Sequence, residues 1–299
     1  DDGKAVAARL PVTRQAVVIG GGFIGLSAAD ALLKRGVSVT VVELQPRLLG
    51  GMLDTAASHV VEAAACKAGA CVLTGRRVVS IDADKTGSRS VTSVSLDDGT
   101  RLPCELVVLA VGVRARTELA GKALPVVRGI VVDEYMRTAD PDVFACGDAS
   151  QGQDFVRGVS TVTAIWPNAV AGGAVAGANM AGVNRAYEGS TTMNALPYFG
   201  LSLASAGIVD DDSPGTETIT GGSGSSYRKV ILKDNIVVGM LFAGATDRCG
   251  LIHTLMKRRT PAADFKRALV DEEFGLLSLP ETLWHELTAG SAPSACEVA

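Results

Sequence analysis

The hydrophobic pattern near the start of the chain predicts two buried strands with a helix between them. Residues 15–19 and 37–42 are short apolar runs, which are typical of strands inside a sheet. Residues 26–34 have a helical pattern, and Gly36 is a typical helix stop signal. A glycine-rich turn separates the first strand from the helix, so this region predicts one β-α-β unit.

The remaining pattern predicts further strands and helices without an internal repeat. Apolar or alternating runs predict strands at residues 71–73, 77–83, 91–96, 106–111, 129–133, 143–146, 227–233 and 236–243. Helical patterns predict helices at residues 54–69, 169–180, 251–257 and 262–269. Asp97-Asp98-Gly99 and Asp234-Asn235 are predicted to form turns between strands.

Composition and charge narrow the classes of protein that this sequence can encode. The 299 residues are 47% hydrophobic and 20% charged, which predicts a packed globular fold of about two or three domains. A net charge of −4 argues against a surface for nucleic acid or anionic membranes. The chain opens on Asp-Asp-Gly-Lys rather than a secretory signal, and no apolar run of about 18 residues predicts a membrane span.

Cysteines and histidines predict neither a disulfide framework nor a metal site. The six cysteines include no C-x-x-C pair, so a cytoplasmic location is expected. His59, His253 and His285 are far apart in the sequence, whereas a metal site needs clustered ligands. Cys249 is the best candidate for a reactive thiol because Arg248 could lower its pKa, although a structural role fits better without a partner cysteine.

The most informative motif is a glycine fingerprint after the first predicted strand. In VVIGGGFIGLSAADALL, Gly20, Gly22 and Gly25 have the spacing G-x-G-x-x-G. Gly20 permits a tight turn, Gly22 lets a pyrophosphate approach the backbone, and Gly25 lets the helix pack closely on the strand. The helix N-terminus offers free N–H groups to the phosphates. Strand, fingerprint and helix in this order predict a dinucleotide site.

An acidic residue supports this interpretation and predicts which dinucleotide binds. Glu43 ends the second strand, 18 residues after Gly25 (43 − 25), where a carboxylate can accept hydrogen bonds from both adenosine ribose hydroxyls. The same charge would repel a 2′-phosphate, so NADH is expected to bind more tightly than NADPH. Arg47 is nearby and slightly weakens this expectation. A glycine-rich turn that binds no ligand is the alternative.

A second candidate site is the segment VFACGDAS at residues 143–150. Its apolar run predicts a buried strand, Gly147 permits a sharp turn, and Asp148 places a carboxylate at the C-terminal edge of that strand. Open α/β sheets bind ligands at this edge. A simple turn aspartate is the alternative interpretation of Asp148.

Together these motifs resemble the pyridine nucleotide-disulfide oxidoreductase superfamily of two-dinucleotide flavoproteins. The similar segments are VVIGGGFIGLSAADAL, VTVVELQPRLLG, LVVLAVGVRA and GIVVDEYMRTADPDVFACGDAS, in the order of that family. The resemblance implies an α/β fold with three parts. These are a Rossmann-like three-layer NAD-binding domain at residues 12–112, the C-terminal part of an FAD-binding domain at residues 113–187, and an α+β interface domain at residues 188–299.

The resemblance also implies cofactor-binding residues and an activity. Besides Gly20 and Gly25, it places NAD on Gly22, Phe23, Ile24, Glu43, Gly112 and, near the adenine, Val78. It places FAD on Asp148, Ala164 and Ile165. NADH would pass hydride to FAD, and electrons would continue to a second acceptor whose identity the sequence leaves open; no catalytic acid or base is implied. The alternative is a non-catalytic NAD-binding regulatory or structural subunit.

The sequence departs from this family in two respects. Ser27 stands where many members carry a glutamate near the nicotinamide. Members also begin with an FAD half that has its own glycine fingerprint, whereas 14 residues precede the first predicted strand here. We therefore expect a fragment of a longer protein or a subunit paired with a chain that carries the FAD half, rather than NAD binding without flavin. Dimerisation through residues after 190 is also expected.

Overall fold

The structure is a computed structural model that describes residues 2–84, 90–210, 213–224 and 226–288. The α-helices in this part are α1 (Asp2–Arg9), α2 (Phe23–Leu33), α3 (Thr55–Lys67), α4 (Trp166–Met180), α5 (Cys249–Lys257) and α6 (Glu281–Thr288). The strands are β1 (Gln15–Ile19), β2 (Ser38–Glu43), β3 (Cys71–Thr74), β4 (Val78–Ala83), β5 (Val91–Leu96), β6 (Arg101–Pro103), β7 (Leu106–Leu109), β8 (Ile130–Val131), β9 (Ser150–Asp154), β10 (Val159–Thr161), β11 (Met193–Tyr198), β12 (Leu201–Gly207), β13 (Thr216–Gly221), β14 (Tyr227–Lys233) and β15 (Ile236–Ala243).

A parallel sheet in the order β3-β2-β1-β7 lies at the centre of the first layered unit. On one face, α2 and α3 enclose an apolar core that includes Val18. On the other face, Val17 packs against the antiparallel sheet β4-β5-β6. Strand β1 is apolar throughout its centre because both of its faces are covered. The predicted α/β fold with a three-layer, Rossmann-like unit is therefore confirmed.

Three helices begin earlier than their hydrophobic pattern predicts, and two helices were not predicted. Helices α2, α4 and α5 start at Phe23, Trp166 and Cys249. In α2 the reason is Gly22, whose extended backbone caps the helix while its carbonyl accepts the N–H of Leu26 at 2.9 Å. The unpredicted helices are α1 and α6, and neither of them has a buried residue.

The strand predicted at residues 143–146 is wrong. Within the described residues this segment makes one isolated bridge, between Arg137 and Phe144, and joins no sheet. The Ala145 N–H donates to the carbonyl of Met136 at 3.1 Å, so the segment closes a local loop. The small sheet of this region is instead β10-β9-β8, and the strand predicted at 129–133 is only two residues long.

A five-stranded antiparallel sheet in the order β11-β12-β15-β14-β13 forms the last third of the fold. Strands β14 and β15 have the predicted bounds. Asp234 and Asn235 join them with φ angles of 51° and 63°, the left-handed geometry of a two-residue hairpin turn. Helix α5 covers one face and buries Ile252 and Leu255 in the core beneath the sheet.

The helix predicted at residues 262–269 is also wrong. The chain there forms only a 3₁₀ turn, Lys266–Val270. The N–H of Ala262 donates to the carbonyl of Asn235 at 2.9 Å, which fixes this segment on the hairpin between β14 and β15. The sequence pattern contains no sign of that long-range bond.

A buried polar cluster joins the parallel-sheet unit to the antiparallel sheet. Asp54 caps α3 by accepting the Ala57 N–H at 2.9 Å. Its second oxygen accepts hydrogen bonds from the Tyr227 hydroxyl at 2.6 Å and from the Lys229 ammonium at 3.1 Å. Lys229 also donates to Asp210 at 2.7 Å. These bonds fix the sheet relative to the edge where β1 and β2 end.

The described segments contain no helix that is both long enough and apolar enough to span a bilayer.

Candidate nucleotide site

The turn between β1 and α2 requires glycine at two of its three fingerprint positions for reasons of packing. Gly20 has a φ of 109°, and a Cβ there would lie 2.3 Å from the carbonyl oxygen of Ala110. A Cβ at Gly25 would lie 1.9 Å from the carbonyl oxygen of Gly20. A side chain at Gly20 would clash with the chain that follows β7, and one at Gly25 would push α2 away from the turn. Both glycines are therefore required by the geometry of the turn itself.

Gly22 is different because a Cβ there would meet no protein atom within 4 Å. Its backbone is extended, with φ −82° and ψ −178°, a geometry that other residues adopt. It caps α2 without a side chain, so the first N–H groups of the helix face open space. Nothing in the described residues requires glycine at this position, whereas close approach of a pyrophosphate would.

The carboxylate of Glu43 lies against the same turn. Its Oε2 accepts the N–H of Gly21 at 2.5 Å, and its Oε1 accepts the N–H of Gln45 at 2.7 Å. Each carboxylate oxygen can accept two hydrogen bonds, so both oxygens keep a free lone pair. Glu43 is thus held in place by the backbone and retains acceptors for ribose hydroxyls.

The structure brings most of the predicted site residues together in one cleft of about 730 Å³. Those that line it are Gly20, Gly22, Phe23, Ile24, Glu43, Val78, Gly112 and Ala164. Gly25 lies behind the cleft in the helix packing, while Asp148 and Ile165 lie outside it. A nucleotide fits the polar groups of this cleft, which combines the open N-terminus of α2 with the Glu43 carboxylate beside the preceding turn.

A second cleft of about 800 Å³ adjoins the first. Asp148 lines it together with Arg114 and Arg128. The two clefts share Val113 and Ala164. Ile165 caps the N-terminus of α4 beside this junction, and the next residue, Trp166, is 82% exposed. Asp148 is itself exposed, in a 3₁₀ turn rather than after the strand that the sequence predicts.

Several residues that line the first cleft were missed in the sequence. Arg76 and Arg77 follow β3 and line the cleft beside Glu43. Their position after a parallel strand, at the edge where such sheets bind ligands, is a signal that could have identified them. Asn194 reaches the cleft from β11, and no local sequence signal indicates this. Arg47 does not line the cleft, and its guanidinium donates to the carbonyl of Gly50 at 3.1 Å.

Cys249 is not an activated thiol. Burial raises the pKa of Cys249. The neighbouring Arg248 does not offset this, since its guanidinium donates to the carbonyls of Glu273 and Phe274. The expectation that Arg248 lowers this pKa is therefore wrong. The five cysteines in the described part of the chain are free thiols, Cys296 lies outside it, and no metal-binding group of His, Cys, Asp and Glu occurs there.

Comparison with known proteins identifies the family. A family model described as pyridine nucleotide-disulphide oxidoreductase matches residues 1–173, and a model described as rubredoxin NAD+ reductase C-terminal domain matches residues 193–260. The epsilon subunit of NADH-dependent phenylglyoxylate dehydrogenase from Aromatoleum evansii is 30% identical, over 90% of this chain and 64% of that relative. The assimilatory nitrate reductase electron transfer subunit of Bacillus subtilis (strain 168) is 30% identical, over 90% of this chain and 34% of that relative.

A solved structure shows the same fold. The covalent complex of putidaredoxin reductase with putidaredoxin contains a chain that is similar with a TM-score of 0.78 and 27% identity. The match covers 87% of this chain and 62% of that one. This chain therefore spans less than two thirds of the length of the relatives described above. Both the first family model and the shared fold show that the chain belongs to the pyridine nucleotide-disulphide oxidoreductase family.

Proposed function

We propose that this chain is the NAD-binding and flavin-facing part of an NADH-dependent flavin oxidoreductase. The observation that carries the proposal is the junction of the two clefts at Val113 and Ala164. A dinucleotide whose phosphates lie at the N-terminus of α2 has its adenosine end beside Glu43. Its other end would then extend toward Ala164. A flavin in the second cleft would meet it there.

The residues of this chain bind and orient rather than transfer protons. When bound, the nicotinamide would supply a hydride to the flavin, from which electrons would pass to a second acceptor. Gly22 leaves space for the phosphates, Glu43 holds the ribose, and the small side chain of Ala164 keeps the junction open. Reacting atoms must approach to about 3–3.5 Å, so the size of residue 164 is decisive.

The names of the relatives support a choice of second electron acceptor and argue against a non-catalytic subunit. One relative is named an electron transfer subunit, and one similar structure is a complex with putidaredoxin. We therefore favour a small redox protein as the second acceptor. The names of these relatives give no support to a non-catalytic regulatory or structural subunit, the alternative left open by the sequence.

The proposed organisation keeps the boundaries expected from the sequence. Residues 12–112 bind NAD, residues 113–187 belong to an FAD-binding domain, and residues 188–299 form an interface domain. The flavin cleft needs a further protein segment with its own phosphate-binding turn, either in the same polypeptide or in a partner chain. A homodimer in the cytoplasm completes the proposal, and the free thiols of the described residues fit that reducing compartment.

Substitution at the junction tests this function. Ala164→Trp fills the point where the clefts meet but lies away from Glu43. In protein supplied with the FAD-binding segment, we expect NADH oxidation to fall by about 100-fold or more, because misplacement of about 1 Å is sufficient for such losses. Binding of ADP-ribose, measured by calorimetry, should change little. Unaltered NADH oxidation would refute the proposed meeting point, and absence of ADP-ribose binding to the unsubstituted protein would refute the nucleotide site.

A further inference from the structure

Three arginines lie near the adenosine end of the first cleft, and two of them are already engaged. The Arg76 guanidinium lies 3.2 Å from the carboxylate of Asp98. Arg47 donates to the carbonyl of Gly50 at 3.1 Å. The third, Arg77, lines the cleft with an exposed side chain. No carboxylate of the described residues lies within 4.0 Å of its guanidinium.

The backbone around Arg77 is fixed from two sides. The N–H of Gly75 donates to the carbonyl of Gln45 at 2.8 Å, and the N–H of Arg76 donates to the carbonyl of Glu43 at 3.0 Å. The backbone N–H of Arg77 donates to the Asp97 side chain at 3.3 Å, and the backbone carbonyl of Arg77 accepts the Asp97 N–H at 2.9 Å. A long cationic side chain therefore extends from a rigid base beside Glu43, and no carboxylate of the described residues pairs with it.

The position of Arg77 along the cleft indicates which part of a nucleotide it would meet. The pyrophosphate belongs at Gly22, where α2 begins. Glu43 and Gln45 lie at the adenosine end, and Arg77 lines the cleft on that side. An unpaired guanidinium there matches a phosphate on the adenosine ribose, because its fork of donors fits phosphate oxygens.

We propose that Arg77 is a second determinant of nucleotide choice that opposes Glu43. Glu43 repels a 2′-phosphate and Arg77 attracts it, so the cleft prefers NADH while keeping measurable affinity for 2′-phosphorylated nucleotides. The choice between the two classes then depends on one acid and one base whose charged groups lie more than 4 Å apart. This inference rests on the proposed nucleotide site and adds a determinant that the glycine fingerprint does not contain.

Two nucleotides that differ only in the 2′-phosphate test the inference without flavin or turnover. Binding of adenosine 5′-monophosphate and adenosine 2′,5′-bisphosphate is measured by calorimetry at low and high salt. Arg77→Gln should weaken binding of the bisphosphate by about tenfold at low salt and by less at high salt, because the contact is electrostatic. The same change should alter the affinity for the monophosphate by less than about twofold, since that ligand has no 2′-charge.

Combined variants separate the two residues. Glu43→Gln should raise the affinity for the bisphosphate relative to the monophosphate by about tenfold. Adding Arg77→Gln to that variant should remove the gain. Arg35→Gln, an exposed arginine in the turn that follows the C-terminus of α2, is the control for loss of a positive charge. Arg76→Gln should have a smaller effect than Arg77→Gln, because Asp98 already neutralises Arg76.

The outcomes distinguish this inference from the proposed function. Equal loss of both nucleotides in Arg77→Gln, or a larger effect of Arg76→Gln, would overturn the role of Arg77 while leaving the nucleotide site in place. If the unsubstituted protein binds neither nucleotide, the site and the inference both fail. A loss confined to the bisphosphate and absent in Arg35→Gln supports the inference.

Discussion

The backbone N–H of Gly21 donates a hydrogen bond to Oε2 of Glu43 at 2.5 Å. This bond links the glycine fingerprint after β1 to the acid that ends β2. The residue proposed to bind ribose therefore also shapes the turn proposed to bind the phosphates. Substitutions at Glu43 have two consequences, one for stability and one for nucleotide choice, and an experiment has to separate them.

NADH should bind more tightly than NADPH, and Glu43→Ala should reduce that preference. Loss of the carboxylate leaves ribose hydroxyls unpaired, which costs about 1–3 kcal/mol of NADH binding. It also removes the repulsion of a 2′-phosphate. Calorimetric titration with both dinucleotides measures the two effects. Glu62→Ala on α3 is the control, and denaturant unfolding reports how much the lost bond to Gly21 destabilises the fold. Equal affinities in the unsubstituted protein would remove Glu43 from its proposed role.

Two glycine substitutions should separate folding from binding. Gly25→Ala places a Cβ 1.9 Å from the carbonyl oxygen of Gly20, so unfolding stability should fall by about 1–3 kcal/mol through overpacking. Gly22→Ala meets no protein atom and should leave stability unchanged or raise it by up to about 1 kcal/mol. It should nevertheless weaken NADH binding, because the added methyl occupies the space left for the pyrophosphate. Unfolding curves and calorimetry on the same two proteins measure this, and full NADH affinity in Gly22→Ala would contradict it.

Tyr227→Phe should weaken the attachment of the antiparallel sheet to the parallel-sheet unit. It should also reduce the dependence of the protein's stability on pH. The hydroxyl of Tyr227 donates to Asp54, and a bond to a charged group contributes about 1.5–3 kcal/mol. Burial opposes ionisation of Asp54, but hydrogen bonds from Ala57, Tyr227 and Lys229 outweigh it and lower the pKa of the carboxyl.

The sign of the pH effect follows from that lowered pKa. The stabilisation by Asp54 is present above the ordinary pKa of an aspartate and is lost as pH falls through the lower folded value. Tyr227→Phe should therefore destabilise the protein most near neutral pH and least in acid. Denaturant unfolding across that range measures it, with Tyr135→Phe as the control. An equal loss at every pH would show that the bond to Asp54 is not the cause.

Residues after 190 should mediate self-association. Leu277 is 95% exposed, so a charge at this position tests the region without disturbing its core. Tyr198 and Leu203 are buried against the first unit, so deleting the whole region would expose a core. A point substitution is the better test. Leu277→Glu should convert a dimer to a monomer in light scattering, whereas Leu119→Glu, outside the region, should not. A monomeric unsubstituted protein would show that the prediction is wrong.

The sequence predicted the parts of the fold that depend on local pattern. Strands β14 and β15 and the fingerprint before α2 follow from neighbouring residues alone. The apolar run at 143–146 failed because burial by a local loop and burial in a sheet leave the same hydrophobic pattern. The segment 262–269 failed because its apolar residues are buried by tertiary packing in a segment that forms only a 3₁₀ turn, and Ala262 is fixed to Asn235, far away in the sequence. Asn194 was missed for the same reason, since it reaches the cleft only through tertiary packing.

The last prediction concerns flavin. The second cleft offers Asp148, Arg114 and Arg128, with Ala164 at its junction with the first. These residues can contact the ribityl chain and the ring. The described residues contain one glycine-rich strand-to-helix turn, and that turn lies in the first cleft, so the pyrophosphate of FAD has no equivalent cradle here. The ADP half of FAD would extend into solvent.

Residues 1–299 as an isolated chain should therefore hold FAD weakly. Association costs about 4–15 kcal/mol of lost freedom, and the few contacts of an open cleft do not offset that cost. The test is the flavin absorbance that survives gel filtration, with and without a segment that carries a second phosphate-binding turn. Asp148→Ala should lower the flavin retained by the completed protein, whereas Asp142→Ala, on the neighbouring loop, should not. Stoichiometric FAD on residues 1–299 alone would show that the flavin site is complete within this chain, and the proposed need for a further segment would be wrong.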